Sequence, residues 1–536
     1  MTSNGTSESP KLLRRSTTVH STPAFNPQSP PKPRRLHLLP PPSHHGPAAT
    51  NPYGTNQHGI QKYHHGFFDP SLAPLRAAYM KIMGMMTIVI VLILWACLPL
   101  YWGSFWLELT HSPGLNAWVV NRDPNGLIGQ FVTQAMVNSS HGMWDPIPEG
   151  HLGWQVVSPS QAGSDQDIED AVAVHETVWV VLVIQENATA ILEEARANGD
   201  PSYDPTKVLT WYFSEARNEI ATDTIIQELI DYILGLTSAR LNTLLAAEYL
   251  QQIQGNVTAL ANLAQAPQTI SGPVSITMVN LRPYTDPTAL AVELVGSIYL
   301  IIVAFIWSNG HAQARMLISP HLRTRSYLIL RIVAPLISYL PLSLAFSMIS
   351  LPFKLPFDGK YSYAGGFFLY WCYCYLAMCA LGLAIEAMIT LLTPRFAFLF
   401  LIPWIITNVS VAQTPFELGA WFYRYGYGFP VFNLAQAVRT ILFNTRNALG
   451  LNAAVLLSWA GLSLITMPTF TLLMRSLEMR KARKEIREAN VARKENVDVD
   501  VGYEGGGTLA QEDTASDSDV VERGGKVANG GSLTGV

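Results

Sequence analysis

The chain has 536 residues, 49% of them hydrophobic and only 14% charged, against roughly 25% charged in ordinary soluble domains. Its mean hydropathy is +0.18 and its formal net charge −4, which exclude a single water-soluble globule and give no sign of a nucleic-acid partner. Cys97, Cys372, Cys374 and Cys379 all fall in apolar runs, so neither a disulfide framework nor a zinc pattern is legible.

Residues 1–80 are dense in Pro, Ser, His and Arg, as in SPPKPRRLHLLPPPSHHGP. Such a segment cannot bury enough surface to offset its chain entropy, so a disordered cytoplasmic tail is expected. From Lys81 to Glu108 there are then 26 uncharged residues. A bilayer core of about 30 Å needs about 20 apolar helical residues to cross it, so this run predicts a first transmembrane helix over 83–106.

Residues 108–288 predict a large extracytoplasmic α/β domain. Ala117–Val120, Val178–Ile184 and Val274–Val279 read as strands. Helical spacing of apolar residues marks Gly129–Val137, Ala188–Ala197, 215–235 and 237–265. The domain is acidic, with 21 Asp/Glu against six Lys/Arg over 108–290.

Five further uncharged runs, of 21 to 28 residues each, follow between Glu293 and Arg475. They predict a five-helix transmembrane domain over 289–474, with helices at about 289–309, 327–351, 365–391, 396–413 and 450–474. Within it, 414–446 is too aromatic for a free loop and predicts an outer re-entrant or interfacial segment around Trp421, Tyr423, Tyr425 and Pro430. Residues 475–536 begin basic and end rich in Gly, Asp and Glu, a second disordered cytoplasmic tail. The expected fold class is therefore an α-helical polytopic membrane protein with six transmembrane helices and the α/β domain between helices 1 and 2.

Charge bias orients these spans. Residues 1–82 hold nine Lys/Arg against two acids, and eight basic residues follow directly after the last run, so both termini are expected on the cytoplasmic side. The Arg315/Arg323/Arg325 loop is expected there too. The sequons at Asn138, Asn187 and Asn256 fall in the segment expected outside, where glycosylation can reach them. A plasma membrane or another secretory-pathway membrane fits this pattern.

The polar residues inside the spans carry the functional expectations. Arg331 and Glu386 both lie roughly 7–10 Å from the cytoplasmic interface at 1.5 Å per residue, where an ionised group is costly unless paired or wetted. They are expected to face one another, as a structural ion pair or as a proton or substrate relay. Arg282, Asp286 and Glu293 flank the mouth of the second span as an entrance or an interfacial cap. Pro99, Pro335, Pro341, Pro403 and Pro468 interrupt four spans and permit kinks. No G-x-x-x-x-G-K-[ST] loop, zinc-protease helix or G-x-S-x-G elbow occurs. An enzyme is not expected, no cofactor or metal is implied, and energy for transport would have to come from elsewhere.

The order of features resembles a known group. Trp118-Val119-Val120-Asn121-Arg122-Asp123-Pro124 with Gly129, then Val178–Ile184 followed by Gln185-Glu186-Asn187-Ala188-Thr189, and Tyr423–Asn444 before the last span resemble the phage-infection-protein subgroup of type-2 ABC exporter membrane components. Trp102-Gly103-Ser104 and Arg282-Pro283-Tyr284 look like the fungal nitrosoguanidine-resistance protein family. The resemblance covers roughly 80–480. It implies an integral membrane protein linked to drug or mutagen resistance, with membrane lipids and a separate ATPase subunit or a second copy as partners. The functional expectation is a transport-associated protein affecting the passage of hydrophobic compounds or lipids. The alternative is a non-transporting scaffold or sensor acting through its outer domain and tails.

Overall fold

A computed structural model describes residues 65–142 and 150–503, with side chains described as far as Val491. The expected tails are thus met only at their membrane-proximal edges, and 1–64 and 504–536 lie outside the described residues. The chain divides into two compact units at Gly84/Met85. In the first, Asp69 caps the short 3-10 helix Pro70–Leu72 and accepts from Ser71 N at 2.9 Å. Helix α1, Ala73–Gly103, begins in this unit. It starts ten residues before the expected 83, because Arg76 and Lys81 end an uncharged run without ending a helix. No residue of α1 is fully buried; a helix apolar on every side suits lipid, and its last turn is held by protein through Leu100 and Tyr101, which meet Tyr423 and Gln413.

The second unit opens with a five-stranded sheet: β1 Asn116–Asn121, β2 Gly153–Val157, β3 Val180–Ile184, β4 Leu209–Phe213 and β5 Ile276–Asn280. The strand order is β2-β1-β3-β4-β5. All neighbours are parallel except β3 and β4, which pair antiparallel with Leu182 opposite Trp211. Among the described residues, the longer helices connecting the strands are α2 Leu127–Ser140, α3 Asp165–Ala173, α4 Ala188–Asn198, α5 Gln227–Gln252 and α6 Val257–Gln265.

Side chains alternate across a strand. Val180, Leu182 and Ile184 therefore join one core with Ile128, Leu192 and Ile230, while Val181 and Val183 join another with Ile168 and Val172. Covered on both faces, β3 reads as an unbroken apolar run, and β4 is buried throughout with only Thr210 breaking its apolar course. The structure adds β2 and β4 to the three strands legible in the sequence. The expected helices at 215–235 and 237–265 are present with the break between them moved: Glu219–Ala221, a π-helical turn Thr222–Ile226 and α5 run on continuously to Gln252, and α6 follows from Val257.

The helical part follows: α7 Gly296–Ile318, α8 Thr324–Met348, α9 Tyr363–Phe396, α10 Phe398–Val409, α11 Pro430–Phe443 and α12 Leu449–Tyr503. Among the described residues five helices are long and apolar enough to cross a membrane, Phe398–Val409 being a shorter apolar one. Helix α9 is the centre of the bundle. Its small residues Ala377, Ala380, Gly382 and Ala387 are buried, which lets neighbours approach closely. A Cβ on Gly382 would collide with the ring of Tyr339 on α8. Thr393, at φ 64° and just before Pro394, breaks the helical course near its end.

Candidate functional site: two buried charge clusters

The lobe built on the sheet joins the chain between α1 and α7, so the N-terminal end of α7 is the lobe end of the bundle. At the opposite end, four side chains from three helices meet. Glu386 on α9 is fully buried, and its Oε1 lies 2.7 Å from Arg315 Nη1, 3.1 Å from Arg331 Nη2 and 3.6 Å from His311 Nδ1. Arg331 on α8 also donates to the Glu386 carbonyl at 2.9 Å, to Thr390 Oγ1 at 2.5 Å and to Thr471 Oγ1 of α12 at 2.6 Å. One guanidinium thus ties α8 to α9 and α12.

Arg331 and Glu386 are both singled out by the sequence. Arg315 and His311 are not. Arg315 is assigned there to a loop, whereas α7 carries on to Ile318 and buries it to 5% exposure. The two guanidiniums of Arg315 and Arg331 face the single carboxylate of Glu386, an excess of one positive charge between these three groups inside the bundle.

At the lobe end the balance is reversed. Arg439 on α11 contacts Glu293 directly and lies 3.6 Å from Glu219 of the lobe. All three are buried, so two carboxylates share one guanidinium. Burial works against the charged Arg439, but Glu293 and Glu219 more than offset it and hold its pKa above the ordinary arginine value. The Tyr284 phenol is raised well above its usual value, first by burial and then by the two carboxylates. Here a lobe residue, a residue leading into α7 and a residue of α11 form one contact, which fixes the lobe against the bundle.

The expected entrance group is dispersed by the structure. Arg282 donates to the Asn444 carbonyl at 3.0 Å, Asp286 accepts from Thr288 N at 2.9 Å, and only Glu293 joins the charge cluster. Asp286 is thus a half-buried turn-former. In the aromatic segment, Trp421 is 77% exposed while Tyr423 and Pro430 are buried and Tyr425 is half-buried. Tyr423 donates to the Leu100 carbonyl of α1 at 2.8 Å and Tyr425 to the Thr407 carbonyl of α10 at 3.0 Å. Within 414–446, Phe416–Leu418 and Trp421–Gly428 are 3-10 stretches, and Pro430–Phe443 is helix α11, almost wholly buried. It is packed into protein on all sides, so the segment is not a surface-lying element along its whole length. Of the sequon residues, Asn187 and Asn256 are exposed and Asn138 is half-buried. Among the described residues no three His, Cys, Asp or Glu side chains are grouped to hold a metal.

Long apolar helices around buried charge, capped by a doubly covered mixed sheet, define a multi-pass helical membrane protein. The family model described as "Protein of unknown function (DUF3533)" matches residues 86–465, and the chain belongs to that family. It is also similar to a protein of Saccharomyces cerevisiae described as an uncharacterized endoplasmic reticulum membrane protein. The two are 26% identical over 423 residues, 75% of this chain and 82% of that one. No solved structure matches.

Proposed function

We propose that the chain is a transport-associated membrane protein that alters the passage of hydrophobic compounds or lipids across its membrane. The observation that carries the reading is the Glu386–Arg315–Arg331 group, ionisable side chains of three helices sealed inside the bundle. Charge at that depth is costly and is retained mainly where it serves a pathway or a moving part. Proline within α8, α10 and α12 gives those helices points at which to bend. Drug or mutagen resistance, and kinship with ABC exporter membrane components, belong to the same proposal, with a separate ATPase or a second copy as partner. The chain itself catalyses nothing in this reading.

The topology proposed with it has six crossings. Tyr373, near the start of α9, donates to the Leu449 carbonyl at the start of α12 at 2.5 Å. Arg331 bridges Glu386, late in α9, to Thr471, late in the apolar part of α12. The two helices therefore run parallel, and the chain between them has to return across the membrane. Helix α10 covers about 18 Å of that return at 1.5 Å per residue. The basic stretch Arg475–Lys494, beyond the apolar part of α12, favours cytoplasmic termini. The yeast relative's description favours the endoplasmic reticulum, with the lobe and its exposed Asn187 and Asn256 in the lumen.

Reconstitution into vesicles tests the function. Vesicles holding the protein, with labelled lipids or cationic dyes and with and without nucleotide, should pass label faster than empty ones, and Glu386→Gln should remove the difference. Equal rates in empty and protein-loaded vesicles under every condition overturn the reading. A scaffold or sensor is the second reading, and the dense packing of α9 around Glu386 favours it.

A further inference from the structure

A cavity of about 310 Å³ lies between the lobe and the lobe end of the bundle, at the lower limit of ordinary small-molecule sites. Its lining is rich in donors that lack partners. Trp179 Nε1 and Asn452 Nδ2 have no hydrogen-bond partner among the described residues, although Trp179 is 5% and Asn452 3% exposed. A buried polar atom left unpaired calls for an explanation, and an absent ligand is one.

Arg217 supplies the charge. Its guanidinium stacks 3.6 Å above the Trp179 ring, and Nη1 donates to the Val178 carbonyl at 2.8 Å. Its Nε is 4.0 Å from Glu176 and its Nη2 3.8 Å from Glu417, both beyond hydrogen-bond distance. Burial lowers the Arg217 pKa, against the pull of these two carboxylates. Arg446 stands exposed at the rim. The arrangement offers several donors to an oxygen-rich anion and two acidic side chains beside it for a cation.

The cavity also touches the membrane level. Leu451, in the first turn of α12, lines it and is 68% exposed, and Tyr427 lines it at 57% exposure. Further along α12, Leu457 is 54% exposed. A headgroup in the cavity would leave its apolar chains beside this outward face.

We propose that the cavity binds a zwitterionic phosphodiester headgroup, its phosphate toward Arg217, Trp179 and Asn452 and its amine toward Glu176 and Glu417. The site is independent of whether the chain moves its ligand. The test is native mass spectrometry of the full-length protein in detergent, titrated with short-chain phosphatidylethanolamine, phosphatidylglycerol and diacylglycerol. Phosphatidylethanolamine should bind at least about tenfold more tightly than the other two, the ratio expected from one charge-assisted contact. Trp179→Phe keeps the ring beneath Arg217 and deletes one donor, and Asn452→Leu deletes the other. Each should weaken binding by about tenfold with thermal stability unchanged. Glycerophosphoethanolamine separates the sources: equal affinity without acyl chains assigns a soluble phosphodiester, and chain-dependent affinity a membrane lipid. Phosphatidylethanolamine binding no better than diacylglycerol, or unaffected by both substitutions, overturns the proposal.

Discussion

Replacing Glu386 by glutamine removes one negative charge and almost no volume, so its effect isolates the electrostatics of the bundle's far end. Arg315 Nη1 and Arg331 Nη2 share the same carboxylate oxygen, at 2.7 and 3.1 Å. The two guanidinium nitrogens are therefore less than about 6 Å apart, where like charges repel by about 3 kcal/mol at an effective dielectric of about 20. Glu386→Gln leaves that repulsion without its counter-charge, and breaking a buried ion pair by removing one partner costs about 3–5 kcal/mol. Arg315→Met acts oppositely on the charge balance. It leaves one guanidinium with one carboxylate, relieves the repulsion and keeps every hydrogen bond of Arg331. Its cost should stay under about 2 kcal/mol. The double variant Arg315→Met/Glu386→Gln restores the original excess of one positive charge, so it should be more stable than Glu386→Gln alone. Heating detergent-purified protein and following the folded fraction by size exclusion reads all three. At about 2–4 °C per kcal/mol, Glu386→Gln should lower the midpoint by about 10 °C. If Arg315→Met is as damaging as Glu386→Gln, or the double variant is the sum of the singles, the charge count does not govern this cluster.

The lobe end follows the same logic with the signs exchanged. Arg439→Met strands Glu293 and Glu219 together in a dry setting, so it should cost about 3–5 kcal/mol and expose the lobe–bundle junction to limited proteolysis. Gly129→Ala would drive a Cβ onto the Asp123 carbonyl oxygen and the Asn121 side chain. Overpacking of that kind costs about 1–3 kcal/mol, to be read as a lower melting midpoint. Burial raises the Glu108 carboxyl above its ordinary value, so the folded protein holds that proton more tightly than the unfolded chain. The associated stability is complete below the unfolded value of about 4.3 and is lost as pH rises through the raised one; Glu108→Gln should flatten a melting profile taken across that window. If the lobe is lumenal, Asn187→Gln and Asn256→Gln should each remove an endoglycosidase-sensitive mobility shift, and Asn138→Gln, at a half-buried position, a smaller share.

Which parts of this molecule were legible in the sequence follows from what each signal measures. The spacing of charges finds long apolar stretches well, because a bilayer tolerates few charges, but it marks helix ends poorly. Arg315 shows why: a charge ended the uncharged run and was read as a loop boundary, while α7 continues through it and turns it inward to Glu386. His311 is not counted among Lys, Arg, Asp and Glu, so it leaves no trace in such a count. Arg331 and Glu386 stand out because each interrupts or bounds an apolar run by enough residues to lie at depth. Glu293 was legible as a charge at a span's mouth, but its partners Arg439 and Glu219 are 146 and 74 positions away in the chain, and no periodicity connects them. The sheet divides in the same way. Val-rich β1 and β3 announce themselves, whereas β2 is a short edge strand opening with Gly153 and carrying Gln155, and β4 is a short run of aromatics with Thr210 in it rather than β-branched residues. A run that short fits a strand or a buried helical turn equally well. Local pattern thus specifies which segments enter lipid or core, while the charge clusters are set by tertiary contacts between segments that pattern treats separately. A functional site built from such contacts is the part of a membrane protein that single-sequence reasoning is least able to assemble.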